Sequence, residues 1–281
     1  MIPIQALKQL EDALAESYGW GNNPFVREKI TLAVTSKADR LGIAPEEYCR
    51  IAAASQSELL ALVEETASSE SCFFREPEQF ELLRRRIIPQ LLNQLPGNEK
   101  LKIWSSVCAT GEEAYSLAIV FDQIKRASPD HAGRQVEIFA TDVRNRSLLE
   151  ASRARYRKKS VGTLDADLLD RYFEPSTLNS DSGDEPLYSV LGEIRKNVTF
   201  RRVNLLDKLF WKGVAGRFDL IVCSNQLTFM HASAARQMVI NLANSLKPDG
   251  YLMVGPGEKS LVNASSMVQL VEAPAFFRRI A

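Results

Sequence analysis

KIWSSVCATGEEAYSLAIVF, Lys102 to Phe121, decides the fold. Its first half is apolar, the single Gly111 turns the chain, and its second half carries apolar residues at helical spacing, so it reads as strand, turn and helix. The helix opens on two carboxylates, Glu112 and Glu113, where a nucleotide-binding protein of this build normally holds phosphate. A helix start attracts anions through free N–H groups and its dipole. Acids placed there repel a pyrophosphate and favour a ligand with a cationic head. One glycine falls well short of GxGxxG. TGEE, Thr110 to Glu113, also matches a capping box, with the Thr110 hydroxyl on the third helical N–H and Glu113 reaching back. That reading accounts for Glu113 and leaves Glu112 unexplained.

Downstream, the strands VEIFATD (136–142), VTFRRVN (198–204), FDLIVCSN (218–225) and GYLMVGP (250–256) alternate with segments long enough for helical crossovers. This predicts a mostly parallel, Rossmann-like sheet covered on both faces. SMVQLVEA and AFFRRIA, hinged on Pro274, predict an antiparallel hairpin at the sheet edge, common for methyltransferase sheets and rare for dinucleotide dehydrogenases. Residues 1–66 read as a small helical domain, with Ile4, Leu7, Leu10 and Leu14 at helical spacing. TASSES (66–71) fits a linker, leading into a helix that Pro77 opens and Pro89 ends. Residues 67–281 form the second domain, with an insertion at about 160–197 that can make a small sheet.

With 281 residues, 45% hydrophobic and 25% charged, the chain suits one large folded domain plus a smaller one. Thirty-five basic residues balance 35 acidic ones, so no whole-molecule field points to nucleic acid or a membrane. Four cysteines lack CxxC spacing, and two histidines cannot complete a usual zinc set with them, so no metal is expected and reduced thiols fit best. The amphipathic, acidic start and the lack of a long apolar run read as a cytoplasmic protein without membrane insertion.

Four polar strand ends converge on one sheet edge, where open parallel sheets bind ligands. Asp142 can accept ribose hydroxyls or cap the RNRSLLEA helix. Asn204 and the Leu205 backbone can read an adenine edge, and Ser224 and Asn225 close the fourth strand. Arg75 in SCFFREPEQF can bind a carboxylate in bidentate fashion or pair with Glu76 or Glu78. Between Arg144 and Lys159 seven basic residues meet only Glu150, as either a solvated helix face or a surface for an acidic partner.

Together FFRE with Phe80, IWSSVCATGEEAYSLAI, IFATD, RYF, Tyr188 with Val190, VTFRRVNLL, FDLIVCSN and LKPDGYLMVGPGE resemble the CheR family, chemotaxis receptor glutamate O-methyltransferases that use S-adenosylmethionine (SAM). The resemblance implies an α/β fold of the class I SAM-dependent methyltransferase type, a helical N-terminal domain and an inserted β subdomain. It implies transfer of methyl from SAM to glutamate carboxylates of a chemoreceptor or related signalling protein, leaving S-adenosylhomocysteine (SAH). By position, cofactor contacts fall at Ser69, Ser71, Arg75, Glu113, Asp142, Asn204, Leu205 and Asn225, with Ser224 beside them. Arg75 is also assigned a catalytic part. A monomer without nucleic acid partners is expected.

Departures cluster on the acceptor side. CSNQLTFMH (223–231) stands where the family reads CRNVLIYFD, so Ser224 replaces Arg, Phe229 replaces the Tyr near the transferred methyl, and His231 replaces Asp. GPGE (255–258) replaces GHSE. The N-terminal segment holds ten acids and six bases, against docking of an acidic receptor helix on that surface. These departures motivate an alternative, a catalytically weakened SAM- or SAH-binding scaffold, or a different protein acceptor.

Overall fold

A computed structural model describes residues 2–21, 23–66, 71–176 and 186–280. Four helices come first: α1 (Ile4–Tyr18), α2 (Pro24–Leu41), α3 (Pro45–Ala53) and α4 (Gln56–Thr66). Asn23 starts α2 by accepting the Val26 N–H at 2.9 Å, with Pro24 in the first turn, where its missing donor costs nothing. Leu10, Leu14, Ile30, Val34, Tyr48 and Leu62 form the core between these helices. Glu11 is buried on α1, and Arg27 of α2 neutralises it with two bonds of 2.6 and 2.7 Å.

Next, α5 (Pro77–Leu82) runs through a π-helical turn (Leu83–Ile87) into α6 (Ile88–Gln94). Pro89 therefore does not end this helix, as its sequence suggested. The wider turn accommodates a residue that lacks an N–H and whose ring crowds the preceding turn.

The remaining chain runs β1 (Leu101–Ser105), α7 (Glu112–Ala127), β2 (Val136–Asp142), α8 (Asn145–Arg153), β3 (Arg155–Arg157), α9 (Lys158–Val161), α10 (Ala166–Tyr172), β4 (Phe173–Pro175), β5 (Leu187–Val190), α11 (Gly192–Arg195), β6 (Val198–Arg202), α12 (Lys208–Lys212), β7 (Phe218–Cys223), α13 (Ala232–Ser245), β8 (Leu246–Val254), β9 (Met267–Leu270) and β10 (Ala273–Arg279). Seven strands make one sheet in the order β6-β2-β1-β7-β8-β10-β9, all running the same way except β10, which is antiparallel to both of its neighbours. The hairpin turns at Val271 and Glu272. Pro274 lies inside β10, where the pairing with β9 shifts register. Both faces are covered because successive residues of β1 point to opposite sides: Ile103 joins the core under α7, and Trp104 joins the core under α13. Trp104 lies amid Phe139, Phe210, Trp211 and Phe218, with ring centroids 5.1 to 6.1 Å away.

A second sheet of three antiparallel strands, β3-β5-β4, stands beside the first and draws its opening strand from Arg155. The helical unit sits over the carboxyl edge of the large sheet. Trp20 forms a strand-like bridge with Met230, the Gly21 N–H donates to the Phe229 carbonyl at 2.7 Å, and the His231 N–H donates to Gly19 at 2.8 Å. Asn145 N–H on Glu64 (2.9 Å) and Asn204 on the Ser17 carbonyl (2.8 Å) add two further ties.

A candidate cofactor site at the strand ends

Between the strand ends and the helical unit lies a cavity of about 390 Å³, within the range of small-molecule sites. Its lining includes Ser71, Arg75, Glu113, Asp142, Asn204, Leu205, Ser224 and Asn225, so eight of the nine residues expected from sequence meet in one place. The ninth, Ser69, lies outside the described residues.

The two glutamates at the helix start have separate fates. Gly111, at φ 95°, is the residue before α7, and a Cβ there would sit 2.9 Å from Ala151 and 3.0 Å from the Tyr156 hydroxyl, so only glycine makes this turn. With Gly111 in that place, Thr110 cannot cap the helix. Its hydroxyl instead donates to Glu112 at 2.6 Å, which rules out the capping box. Glu112 is buried away from the cavity and also receives hydrogen bonds from Ser160 (3.2 Å) and Ser71. Glu113 faces the cavity and accepts the Ser105 hydroxyl at 2.6 Å. Loss of water pushes its carboxyl up to about 7; the Ser105 bond opposes this, the charge of Glu258 adds to it, and Arg75 opposes it. Such a carboxylate gains from a cation.

Asp142, at the end of β2, is buried and accepts the Ala109 N–H at 3.0 Å and the Arg144 N–H at 2.9 Å. The buried Arg144 guanidinium folds back on it at 3.1 and 3.3 Å. Arg144 rather than Asp142 precedes α8, so Asp142 is not its cap. Arg144 thus leaves the basic run, whereas Arg153, Arg155, Arg157, Lys158 and Lys159 stay exposed.

Both ends of the Asn204 amide are engaged: Nδ2 donates to Ser17, and Oδ1 accepts the Leu206 N–H at 3.0 Å. These bonds tie the helical unit to the cavity wall and use one N–H and one lone pair of the amide. The Ser224 hydroxyl is buried at the wall with no partner among the described residues. An orphaned hydroxyl and a carboxylate wanting a cation suit a polar ligand that carries positive charge. SAM, with its sulfonium and ammonium, fits this donor and acceptor set.

Sequence reasoning missed the wall from α1 and α2, formed by Tyr18, Trp20, Phe25, Val26 and Lys29. Phe25 meets Phe229 at 6.1 Å between ring centroids, and the Lys29 ammonium lies 4.5 Å over the Phe25 ring. A mostly parallel sheet ending in an antiparallel hairpin, with its cavity at the carboxyl edge and an acid at the first helix start, defines a class I SAM-dependent methyltransferase.

Comparison with known proteins gives the family. Residues 69–277 match CheR methyltransferase, SAM binding domain. Chemotaxis protein methyltransferase 1 of Pseudomonas aeruginosa is 32% identical over 212 residues, 75% of this chain and 73% of that one. A chemotaxis protein methyltransferase of Pseudomonas putida is 29% identical over 198 residues, 70% and 68% of the two chains. A 104.1 kDa uncharacterized protein of Rhodobacter capsulatus is 30% identical over 96% of this chain, which spans 27% of its length. The chain belongs to the CheR methyltransferase family, and its cofactor is SAM.

Proposed function

We propose that the protein transfers a methyl group from SAM to glutamate side chains in the cytoplasmic region of a chemoreceptor or a related signalling protein, forming methyl esters. The observation that carries this reading is Glu113, a cavity-facing acid at the first helix start of a chain in this family. When bound, SAM supplies a methyl carbon on a positively charged sulfur that departs as a neutral thioether. In this reading Glu113 and Asp142 hold the cofactor's cationic and hydroxyl groups, with Ser71, Ser224, Asn225 and the backbone at Leu205 completing the wall. Arg75 orients a carboxylate. Residues 1–66 act as a cover over a methyltransferase domain spanning 67–281.

The acceptor needs little acid or base help, because a glutamate of pKa about 4.3 is already an anion at pH 7. The protein's work is alignment and exclusion of water, which can be worth several orders of magnitude in rate. Phe229 in place of a tyrosine is compatible with this chemistry. The exposed cations from Arg153 to Lys159 offer an acidic acceptor a better approach than the acidic helical unit does. The work is done in the cytoplasm by a monomer.

Incubation with methyl-labelled SAM and membranes bearing chemoreceptors is expected to leave base-labile label on a receptor band. Tight SAH binding without label on any protein would sink the transfer reading.

A further inference from the structure

Glu258, in the loop after β8, is 1% exposed, and its carboxylate is filled by backbone donors. Oε2 accepts the Asn225 N–H at 2.7 Å and the Gly255 N–H at 3.0 Å, and Oε1 accepts the Thr228 N–H at 3.2 Å. Two of these donors belong to the loop after β7, which supplies Ser224, Asn225, Thr228 and Phe229 to the cavity wall. Asn225 holds φ 60°, a left-handed conformation that asparagine adopts more readily than other non-glycine residues. The bonds from Asn225 and Thr228 to one buried anion hold the loop in this shape.

We propose that Glu258 is a positioning residue of the transfer site: its carboxylate fixes the Ser224–Phe229 loop in the shape that closes the cavity, and its charge acts on Glu113. The inference rests on the cofactor reading of the cavity. Glu113 is faced by Ser105 from the end of β1, Arg75 from the segment before α5, Glu258 from the loop after β8, and the thiols of Cys108 and Cys223. Among these Glu258 is the like charge that opposes ionisation of Glu113.

The test is calorimetry of SAH against the full chain from pH 5.5 to 8.5. The wild type is expected to bind more tightly as pH rises, levelling off once Glu113 is ionised. In Glu258→Gln the amide must present an NH2 to at least one backbone N–H, so the loop loses a bond, and the charge behind Glu113 disappears. Its Kd at pH 8 is expected to rise about tenfold, while the levelling-off moves to lower pH. A Gly255→Ala variant separates the two effects. Gly255 has an ordinary φ of −61°, but a Cβ would lie 2.9 Å from Glu258 Oε2 and 3.1 Å from the Asn225 nitrogen. It displaces the carboxylate and keeps its charge, so Kd is expected to rise several-fold with the levelling-off unmoved.

A Glu258→Gln protein with Kd within twofold of wild type at pH 8 overturns the proposal. So does a weakened Kd with an unmoved pH profile, which reduces Glu258 to maintaining the fold. Should Glu258→Gln not fold, a Gly255→Ala Kd within twofold of wild type overturns it. A wild type that binds no SAH fails the cofactor reading itself.

Discussion

The two walls of the cavity are built by different means. The strand-end wall is made of residues whose place follows from local sequence: Glu113 after a turn only glycine can make, Asp142 and Asn225 at or just past the ends of apolar runs. The opposite wall, Tyr18 to Lys29, is made by docking one folded unit on another, through the Trp20–Met230 bridge and backbone bonds at Gly19 and Gly21. The first wall carries the carboxylates of Glu113 and Asp142. The second carries rings and one ammonium, and encloses the cavity.

If that division is right, the largest effect comes from the strand-end wall. Glu113→Gln is expected to weaken SAH about a hundredfold, as removal of one partner of a buried charged pair does. The same change should stabilise the empty protein. Glu113 has a folded pKa of about 7, above its ordinary 4.5, so the native state is penalised as pH rises from 4.5 through 7 and the penalty stays constant above. Glu113→Gln should therefore gain about 3 kcal/mol over wild type between pH 4 and pH 8 in denaturant titrations. A variant that gains stability without losing affinity would place the ligand's charge elsewhere.

The docked wall should respond less in binding and more in melting. At Gly21 a Cβ would lie 2.9 Å from the Met230 carbonyl oxygen and 3.0 Å from that of Phe229. Gly21→Ala is expected to cost about 1–3 kcal/mol of stability by forcing the two units apart. Its SAH affinity should fall only a few-fold. The smallest effect is expected at the seam between the walls. Phe229→Tyr restores the family's hydroxyl, and kcat should change by less than about threefold because the nucleophile is already ionised. A much larger gain would mean that the hydroxyl assists transfer.

The same division explains what could be read from the chain. Strand order, the crossover helices and the C-terminal hairpin follow from apolar periodicity, and the strand-end residues follow from those boundaries. Glu112 and Glu113 were harder, because which of two adjacent acids faces the cavity depends on whether Thr110 or Gly111 precedes the helix. Pattern alone favours Thr110; the crowding of Ala151, Tyr156 and Phe200 about Gly111 decides otherwise. Arg144 was legible only as part of a basic run and Asn204 as a polar strand end, but not that the first turns inward to Asp142 and the second bonds the Ser17 carbonyl. Lys29 and Trp20 gave no local signal, since their place depends on contacts between units far apart in sequence. Glu258 was visible only as part of an altered motif.

The acids around the cavity have an effect on sulfur chemistry as well. Cys72 and Cys108 line the chamber, and Cys223 lies buried beside it. Burial first, then the charges of Asp142 and Glu113, holds the Cys108 thiol well above its ordinary range; burial with Glu258 does the same at Cys223. At Cys72 burial and the charges of Glu112 and Glu76 outweigh Arg75. Thiolate, rather than thiol, is the competent nucleophile. Burial, aided by these carboxylates, thus keeps the three thiols protonated beside a cavity meant for an alkylating sulfonium.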